Sequence, residues 1–508
     1  MAQPKRITFV HPHGDNWVSG TQDIVRIANV MPPHGLLMLA AVAERAGFPA
    51  TLLDFFAHPL PEDQAVQAVL ATQPDAVGFT ATTAGFMGGY RLAVKLKQAR
   101  PDLTVLFGGP HPTSLWARLL REFPAVDVIV VGEGEETLLE LLRADLVPSR
   151  DIPGIAFRGP DGEAILSGPR RAISDLDQLP YPAYEKLIGY PAAYPLPIFN
   201  YPRSPATTFI TSRGCPYSCS YCDRSVFGSS FRAHSAEYLV DHLAFLKARY
   251  GIRHVNIYDD NFILDRRRVE EFVDRLCSRD LGISFNCIGR PDLLDASLIR
   301  TLKRGGCWMI NLGVESGDQD LIDQHRTRSD LDAVAQTVRH VREAGIRVKG
   351  LFMMGIPGET EDSLARTVAY ALRHPFSDVN ITKFTPFPGS PIYNRILEYG
   401  DFDEDWDKMN CANFVFIPRG FTRERLEELY LRFYDTYYRR PSGVLGLLSM
   451  IWKSPESCRR FMGNLGTFID VGRQMKARSP AALGGARRDS ARTRIGRLSA
   501  RQSPRKRS

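Results

Sequence analysis

Short, nearly continuous apolar runs recur through the first third of the chain, at 7–10, 51–53, 76–79, 105–107 and 126–131. Runs of this length without polar alternation predict strands buried on both faces, as in parallel sheets. Helical periodicity fills the gaps, over 36–46 closed by Gly47, and over 62–72, 90–100 and 114–123. Turn residues follow each run: Asp54 after the second, Thr80-Ala81-Thr82-Thr83 after the third, Gly108-Gly109-Pro110-His111 after the fourth and Gly132-Glu133-Gly134-Glu135 after the fifth. This predicts an α/β, doubly wound, Rossmann-like sheet over 1–145 whose ligand lies at the carboxyl ends of the strands. Residues 146–205 are Pro-rich and read as a connector, with a hairpin around Pro160-Asp161-Gly162. Alternation resumes over 206–400, with strands expected at 207–211, 254–258, 283–287, 308–312, 347–353 and 378–384. Their spacing suits a partial (β/α)6 barrel. Over 401–475 the pattern turns helical. Residues 423–438 are amphipathic, and 444–452 are strongly apolar but far too short to span a bilayer. Most of these C-terminal residues are expected to pack against the barrel, the other reading being that they lid it and shape an apolar substrate pocket.

Composition changes this picture in one place. At 508 residues, with 44% hydrophobic and 24% charged positions, the chain has the make-up of an ordinary globular protein of two or three domains. No secretory leader pattern opens it, so a cytoplasmic, reducing setting is expected. The net charge of +7 is unevenly placed: 473–508 hold 12 Lys/Arg and one acid, Asp489, which leaves the rest at −4. The folded body is therefore mildly acidic, and no specific nucleic-acid partner is expected. The basic tail, 476–508, is Ser/Arg/Ala/Gly-rich and reads as solvated disorder, with weak attraction to anionic lipid, as peripheral membrane contact, or to RNA as the other reading.

Chemistry concentrates at Cys215, Cys219 and Cys222, a C-x3-C-x2-C loop after a β-branched run and a Ser-Arg-Gly turn. Thiolates are the usual ligands of iron–sulfur clusters, and a cubane held by three cysteines keeps one iron open. A disulfide would leave one thiol over. Zinc would take a fourth Cys or His nearby, and the nearest, His234, is twelve residues on. The remaining thiols, Cys277, Cys287, Cys307, Cys411 and Cys458, are dispersed and read as small buried hydrophobes.

The cysteine loop, with Arg213-Gly214 before it and Tyr221 before its last Cys, closely resembles the cluster loop of the radical S-adenosylmethionine (SAM) superfamily. The resemblance implies a [4Fe–4S] cluster on the three cysteines, flanked by Tyr221. It implies SAM chelating the open iron, an external reductant such as a flavodoxin or ferredoxin, and cleavage of SAM to a 5′-deoxyadenosyl radical. Later strand ends resemble the same superfamily: Tyr258-Asp259-Asp260-Asn261, Gly289-Arg290-Pro291-Asp292, Gly313-Val314-Glu315-Ser316-Gly317 and Gly355-Ile356-Pro357-Gly358-Glu359. By position, the resemblance puts Asp259 and Asp260 at the SAM amino group, Glu315 and Ser316 at its ribose or carboxylate, and Ile356 at the adenine. Arg290 would pair with the SAM carboxylate or with Asp259. Each polar position has an alternative, because such residues often cap the next helix, as Asp292 or Ser316 would.

In the first domain, Met31-Pro32-Pro33-His34-Gly35-Leu36, Gly108-Gly109-Pro110-His111-Pro112-Thr113 and Val131-Gly132-Glu133-Gly134-Glu135 resemble the cobalamin-binding domain of one branch of that superfamily. Gly108 and Gly109 would let backbone approach a bulky ligand, and Thr80 and Thr82 would hydrogen-bond a nucleotide tail. Gly132 and Glu133 complete the implied cobalamin contacts. The alternative is a flavodoxin-like domain that binds something else. An Asp-x-His-x-x-Gly cobalt motif is replaced by His11-Pro12-His13-Gly14-Asp15, and His11, His13, His34 and His111 are read as structural. No Cys precedes Cys215, which disfavours a methylthiotransferase with a second cluster. The expected function is a cobalamin-dependent C-methyltransferase acting on an unactivated carbon of a small molecule. The linker and the apolar C-terminal helices hint at a lipid-like or macrocyclic substrate. The alternatives are an oxidative cyclase resembling the anaerobic magnesium-protoporphyrin monomethyl ester cyclase, and a non-catalytic iron–sulfur or corrinoid carrier.

Overall fold

The structure, a computed structural model, describes residues 3–13, 29–467 and 469. The first sheet contains β1 (Ile7–His11), β2 (Ala50–Asp54), β3 (Ala76–Thr80), β4 (Thr104–Gly108), β5 (Val128–Val130), β6 (Ile155–Arg158) and β7 (Ala164–Leu166), in the order β2-β1-β3-β4-β5-β6-β7. The first five strands are parallel, and the 2-1-3-4-5 order is the flavodoxin-like arrangement, which opens a crevice at the carboxyl ends where the winding reverses. The hairpin expected around 160–162 forms, and it joins this sheet as its antiparallel edge, Phe157 pairing with Val128.

Helices α1 (His34–Arg45), α2 (Glu62–Ala71), α3 (Phe86–Ala99), α4 (Pro110–Glu122) and α5 (Glu135–Arg143) make the crossovers. Helix α5 was not among the expected elements, although its buried Leu138, Leu141 and Leu142 carry helical spacing. Helix α3 starts four residues earlier than its periodicity suggests because Phe86 is itself core, packed against Phe107, Phe123 and Trp406.

The second sheet is entirely parallel. It runs from β8 (Ala206–Phe209), past a two-residue ladder of β9 (Ser212–Arg213) and β10 (Arg232–Ala233), through β11 (His254–Ile257), β12 (Ser284–Gly289), β13 (Cys307–Glu315), β14 (Arg347–Met354) and β15 (Asp378–Lys383). Its order, β15-β14-β13-β12-β11-β8, is that of a curled half-barrel. The helices around it are α6 (Ala236–Tyr250), α7 (Arg266–Ser278), α8 (Ala296–Arg304), α9 (Gln319–His325), α10 (Leu331–Glu343) and α11 (Glu361–Arg373). Each starts at a side chain that accepts a backbone N–H: Ser235, Asp265, Asp295, Asp318, Asp330 and Thr360. Asp292, expected to cap, instead pairs with Arg290 at 3.0 Å. One apolar core joins the two sheets, from Leu37 through the connector tyrosines Tyr184 and Tyr194 to Val255 and Leu243.

Helix α12 (Arg423–Arg439) covers the edge strand β15, where Tyr430 and Tyr434 donate to the Ile381 carbonyl. It runs backwards along that strand, from the Lys383–Glu427 pair at the carboxyl end to Tyr438 and Asp378 at the amino end. The helices that follow, α13 (Pro441–Leu448), α14 (Met450–Lys453) and α15 (Pro455–Gly463), are thereby delivered beneath the barrel. There Ser457 accepts from the Phe199 amide at 2.6 Å, and the Phe199 carbonyl in turn accepts from Arg347, the first residue of β14. Of the two readings of 444–452, packing holds and the lid does not: this stretch sits at the end of the barrel opposite the strand carboxyl ends. The basic tail, and Gly14 and Asp15 of the histidine motif, lie outside the described residues. Among the described residues no helix is long and apolar enough to cross a membrane.

Candidate active site

The cysteine loop connects β9 to β10. Gly214 holds φ at 81°, and a Cβ there would stand 2.3 Å from the Ser230 carbonyl, so the turn into Cys215 requires glycine. Cys219 is buried, Cys215 half-buried and Cys222 exposed. Cys222 is nonetheless crowded on its protein side, and that desolvation, with Cys219, Glu315, Asp260 and Cys215 nearby, pushes its thiol up to about 12. Burial also raises Cys215, and Asp260 and Cys219 add to it. The thiols of the loop thus lie within electrostatic reach of one another and of two carboxylates, where thiolate charge is disfavoured until a cation compensates it. Among the described residues no trio of His, Cys, Asp or Glu is gathered tightly enough for a single metal ion. The donor set fits a polynuclear iron–sulfur group.

The barrel fastens this loop at several points. Ser220 donates its amide to the His325 carbonyl and its hydroxyl meets His325 Nδ1, both at 2.9 Å. His325 Nε2 meets the Pro357 carbonyl at 2.7 Å, so Nε2 carries the proton and Nδ1 accepts from Ser220. Burial lowers the His325 pKa and keeps the ring in this neutral form. Sequence reasoning missed His325, a lone histidine whose partners lie 105 and 32 residues away.

Of the two adjacent aspartates, only one is available. Asp259 is fully enclosed and accepts from the Thr211 amide and the Ser212 hydroxyl, each at 2.6 Å, and from the Thr211 hydroxyl, with Arg268 at 3.8 Å. It ties the strand that leads into the cysteine loop. Asp260 is exposed, and desolvation and the Asp259 charge raise it. Its neighbour Asn261 is buried with neither side-chain amide atom hydrogen-bonded, the signature of a polar group awaiting a partner.

Arg290 does not pair with Asp259. It binds Asp292, donates to the Thr327 and Arg328 carbonyls at 2.6 and 2.5 Å, and stacks 3.8 Å over Tyr217 of the cysteine loop. Glu315 occupies the left-handed region at φ 67°, where β13 loses register with β14. This strained carboxylate lies 3.6 Å from Arg326 and close enough to Tyr221 and Cys222 to raise both. The same bulge turns Ser316 inward. Its hydroxyl meets Thr367 at 2.9 Å and accepts the Asp318 amide, so it sets the cap of α9 and does not face a ribose.

Ile356 is buried in the turn after β14. That turn is held by Glu359, which accepts the Gly355 amide at 2.5 Å while its other oxygen has no partner. Complete burial pushes Glu359 up to about 8. It was quoted in the sequence motif without a role.

At the carboxyl ends of the first sheet a cavity of about 140 Å³ is lined by Thr80, Gly108, Gly109, Gly132 and Gly134, with Phe107 and Leu138 as apolar walls. Gly109 holds φ at 99°, and a Cβ there would stand 3.0 Å from the Ala81 carbonyl. Glycine edges and apolar walls fit the flat end of a larger ligand such as the tail of cobalamin. Thr82 is exposed and outside this lining.

Glu133 borders the cavity, but both its oxygens are engaged, by Arg213 at 3.2 Å, by Arg232 and by the Ile173 amide. Glu135 holds the other arm of Arg213 at 2.5 Å. Glu133 is therefore a brace between the domains, and Arg213, two residues before Cys215, is a partner that sequence reasoning did not find. Three of the histidines read as structural have protein partners: His34 meets Thr208, His11 meets Asp54, and His111 is buried against Phe86 and Trp406, which drops it to about 3.

The radical SAM superfamily model matches residues 209–371, and the B12-binding domain model matches residues 21–142. Together they account for more than half of the chain. The protein belongs to the radical SAM superfamily, among the members that carry a B12-binding domain. It is an enzyme, and its groups are a [4Fe–4S] cluster, SAM and cobalamin.

Its relatives narrow this class. An uncharacterized methyltransferase of Pyrococcus horikoshii is 29% identical over 82% of this chain and 89% of its own length. The anaerobic magnesium-protoporphyrin IX monomethyl ester cyclase of Rubrivivax gelatinosus is 27% identical over 93% of this chain and 83% of its own. Among solved structures, the cobalamin-dependent radical enzyme OxsB shares the fold with a TM-score of 0.70 over 92% of this chain and 72% of that chain, at 16% identity. The methyltransferase TsrM of Kitasatospora setae does so at 0.62 over 78% and 75%, at 19% identity.

Proposed function

We propose that the protein is a cobalamin-dependent radical SAM C-methyltransferase acting on an unactivated carbon of a small molecule. One observation carries the reading: the glycine-edged cavity of the first domain is closed by Val226 and Phe227, which belong to the same β9–β10 connection as the three cysteines. The two cofactor regions share a wall. When bound, the three groups supply hydrogen abstraction and a transferable methyl group.

The chain's own residues hold and orient them. Cys215, Cys219 and Cys222 hold the cluster, and Tyr221 packs behind it with Phe384 and Ile392. Asp260 accepts from the SAM amino group, and Glu315 faces the SAM ribose or carboxylate. Ile356 lines the adenine, and Glu359 keeps that turn in shape. Thr80, Gly108, Gly109 and Gly132 admit the cobalamin tail. Arg290 secures the cysteine loop through Tyr217 and the 327–328 carbonyls, and Arg213 does so through Glu133 and Glu135. A small electron carrier, a flavodoxin or ferredoxin, supplies the reducing equivalent.

Oxidative ring closure is a second reading, favoured by the likeness to the cyclase across 93% of the chain. Product mass separates the two. A gain of one methylene, with 5′-deoxyadenosine and S-adenosylhomocysteine both formed, supports methylation, whereas a gain of oxygen or of a ring overturns it. The hint of a lipid-like or macrocyclic substrate drew on the linker and on the apolar C-terminal helices, and the helices' place beneath the barrel removes the second of these grounds.

A further inference from the structure

Helices α13–α15 are anchored to the protein by polar side chains. Ser454 and Ser457 are wholly buried and bond to Tyr201 and Phe199, Glu456 accepts the Ser204 amide at 2.5 Å, and Arg460 donates to the Leu196 carbonyl at 2.6 Å. Met450 is buried, but most of their large apolar side chains face outward: Leu445, Ile451, Trp452 and Met462 are 65%, 56%, 68% and 58% exposed, and Leu448 is exposed too. Scattered apolar residues on a surface need no explanation, but a clustered set on helices anchored by polar side chains does.

Charge identifies the occupant. Lys453 and Arg459 stand exposed on the same helices, and residues 473–508, a short way on, carry 12 Lys/Arg against the single acid Asp489. That segment offers few groups able to cover the patch, its large apolar residues being Met475, Leu483, Ile495 and Leu498. An exposed Trp among aliphatic side chains, on helices that a dense run of cations follows in sequence, matches the interfacial zone of a bilayer with anionic headgroups. We propose that the outward face of α13–α15, together with the basic segment after it, docks this enzyme peripherally on an anionic lipid surface. Because this face lies at the amino ends of the barrel strands, docking leaves the cysteine loop turned away from the lipid. The surface tethers the enzyme and does not feed its active site. The proposal is independent of which reaction the site performs.

Cosedimentation of the full-length, cluster-loaded protein with phosphatidylcholine vesicles, with and without phosphatidylglycerol, tests it. Binding is expected only when phosphatidylglycerol is present, and it should fall steeply with added salt. The double variant Ile451→Ser/Trp452→Ser should bind about tenfold more weakly or less, as should Leu445→Ser/Leu448→Ser, an independent pair on the neighbouring helix. Both variants should keep wild-type iron content, circular dichroism and vesicle-free turnover, since none of the four side chains is buried. Ending the chain before Arg473 should weaken binding and flatten its salt dependence. Equal binding by wild type and both variants would overturn the proposal, as would no preference for phosphatidylglycerol. So would a wild-type dimer that Trp452→Ser converts to monomer, which would assign the face to a second copy of the chain.

Discussion

The two parallel sheets each present carboxyl strand ends to a cofactor, yet they are built from opposite materials. The first sheet offers Gly108, Gly109, Gly132 and Gly134 around apolar walls, and its one bordering carboxylate pair, Glu133 and Glu135, is spent on Arg213 and Arg232. The half-barrel offers three thiols, Asp260, Glu315 and the unpartnered atoms of Asn261 and Glu359. One region selects by shape and the other by charge and ligation. A large ligand that brings its own metal needs room and little else, whereas a cluster assembled in place needs donors held at fixed positions.

This contrast can be broken from either side. The largest effect belongs to the ligating side: Cys219→Ala should lose cluster iron and all turnover while cobalamin binding persists, read by iron and sulfide analysis of anaerobically purified protein. On the shape side, Gly109→Val puts side-chain atoms against the Ala81 carbonyl in a left-handed position. It should weaken cobalamin retention more than tenfold with iron content unchanged, measured by the corrin absorbance that remains after gel filtration.

Arg213→Gln touches both regions. Removing one member of a buried ion-pair set costs about 3 kcal/mol, so a lower unfolding midpoint should accompany weaker cobalamin retention. If Arg213 only stabilised the fold, retention at a temperature well below the midpoint would equal that of wild type.

The smallest effect is expected at Glu359, whose carboxyl is raised to about 8. The folded state then holds a proton that the unfolded state releases near pH 4.5, so this contribution is full at low pH and is lost as pH rises towards 8. Glu359→Gln should remove that decline, making the variant the more stable of the two at pH 9 in thermal melts.

How much of this was legible in sequence depended on how local each signal was. Strands buried on both faces announce themselves as apolar runs, so both sheets were readable, and the cysteine loop carries its information within eight residues. Asp259 and Asp260 are neighbours in sequence, and what separates a structural tie from a free acceptor is the approach of Thr211 and Ser212, 48 and 47 residues away. For Ser316 the sequence leaves ligand contact and helix capping side by side, and the hydroxyl's bonds to Thr367 and the Asp318 amide, 51 and 2 residues away, favour the second. Glu133 lines the cavity as its motif suggests, but that its carboxylate is held by Arg213, 80 residues on, is invisible from the motif. The lid failed for a geometric reason: the direction of α12 along β15, not the apolar content of 444–452, decides where the last helices go.

The central claim is that the three cysteines hold a cluster with an open iron facing the SAM site. Electron paramagnetic resonance of the reduced wild-type protein, recorded before and after adding SAM, tests it directly. The account predicts a cluster signal whose g-values shift on addition and a shift that is reduced in Asp260→Asn. A signal that SAM leaves unaltered, or no cluster signal at all, would contradict it.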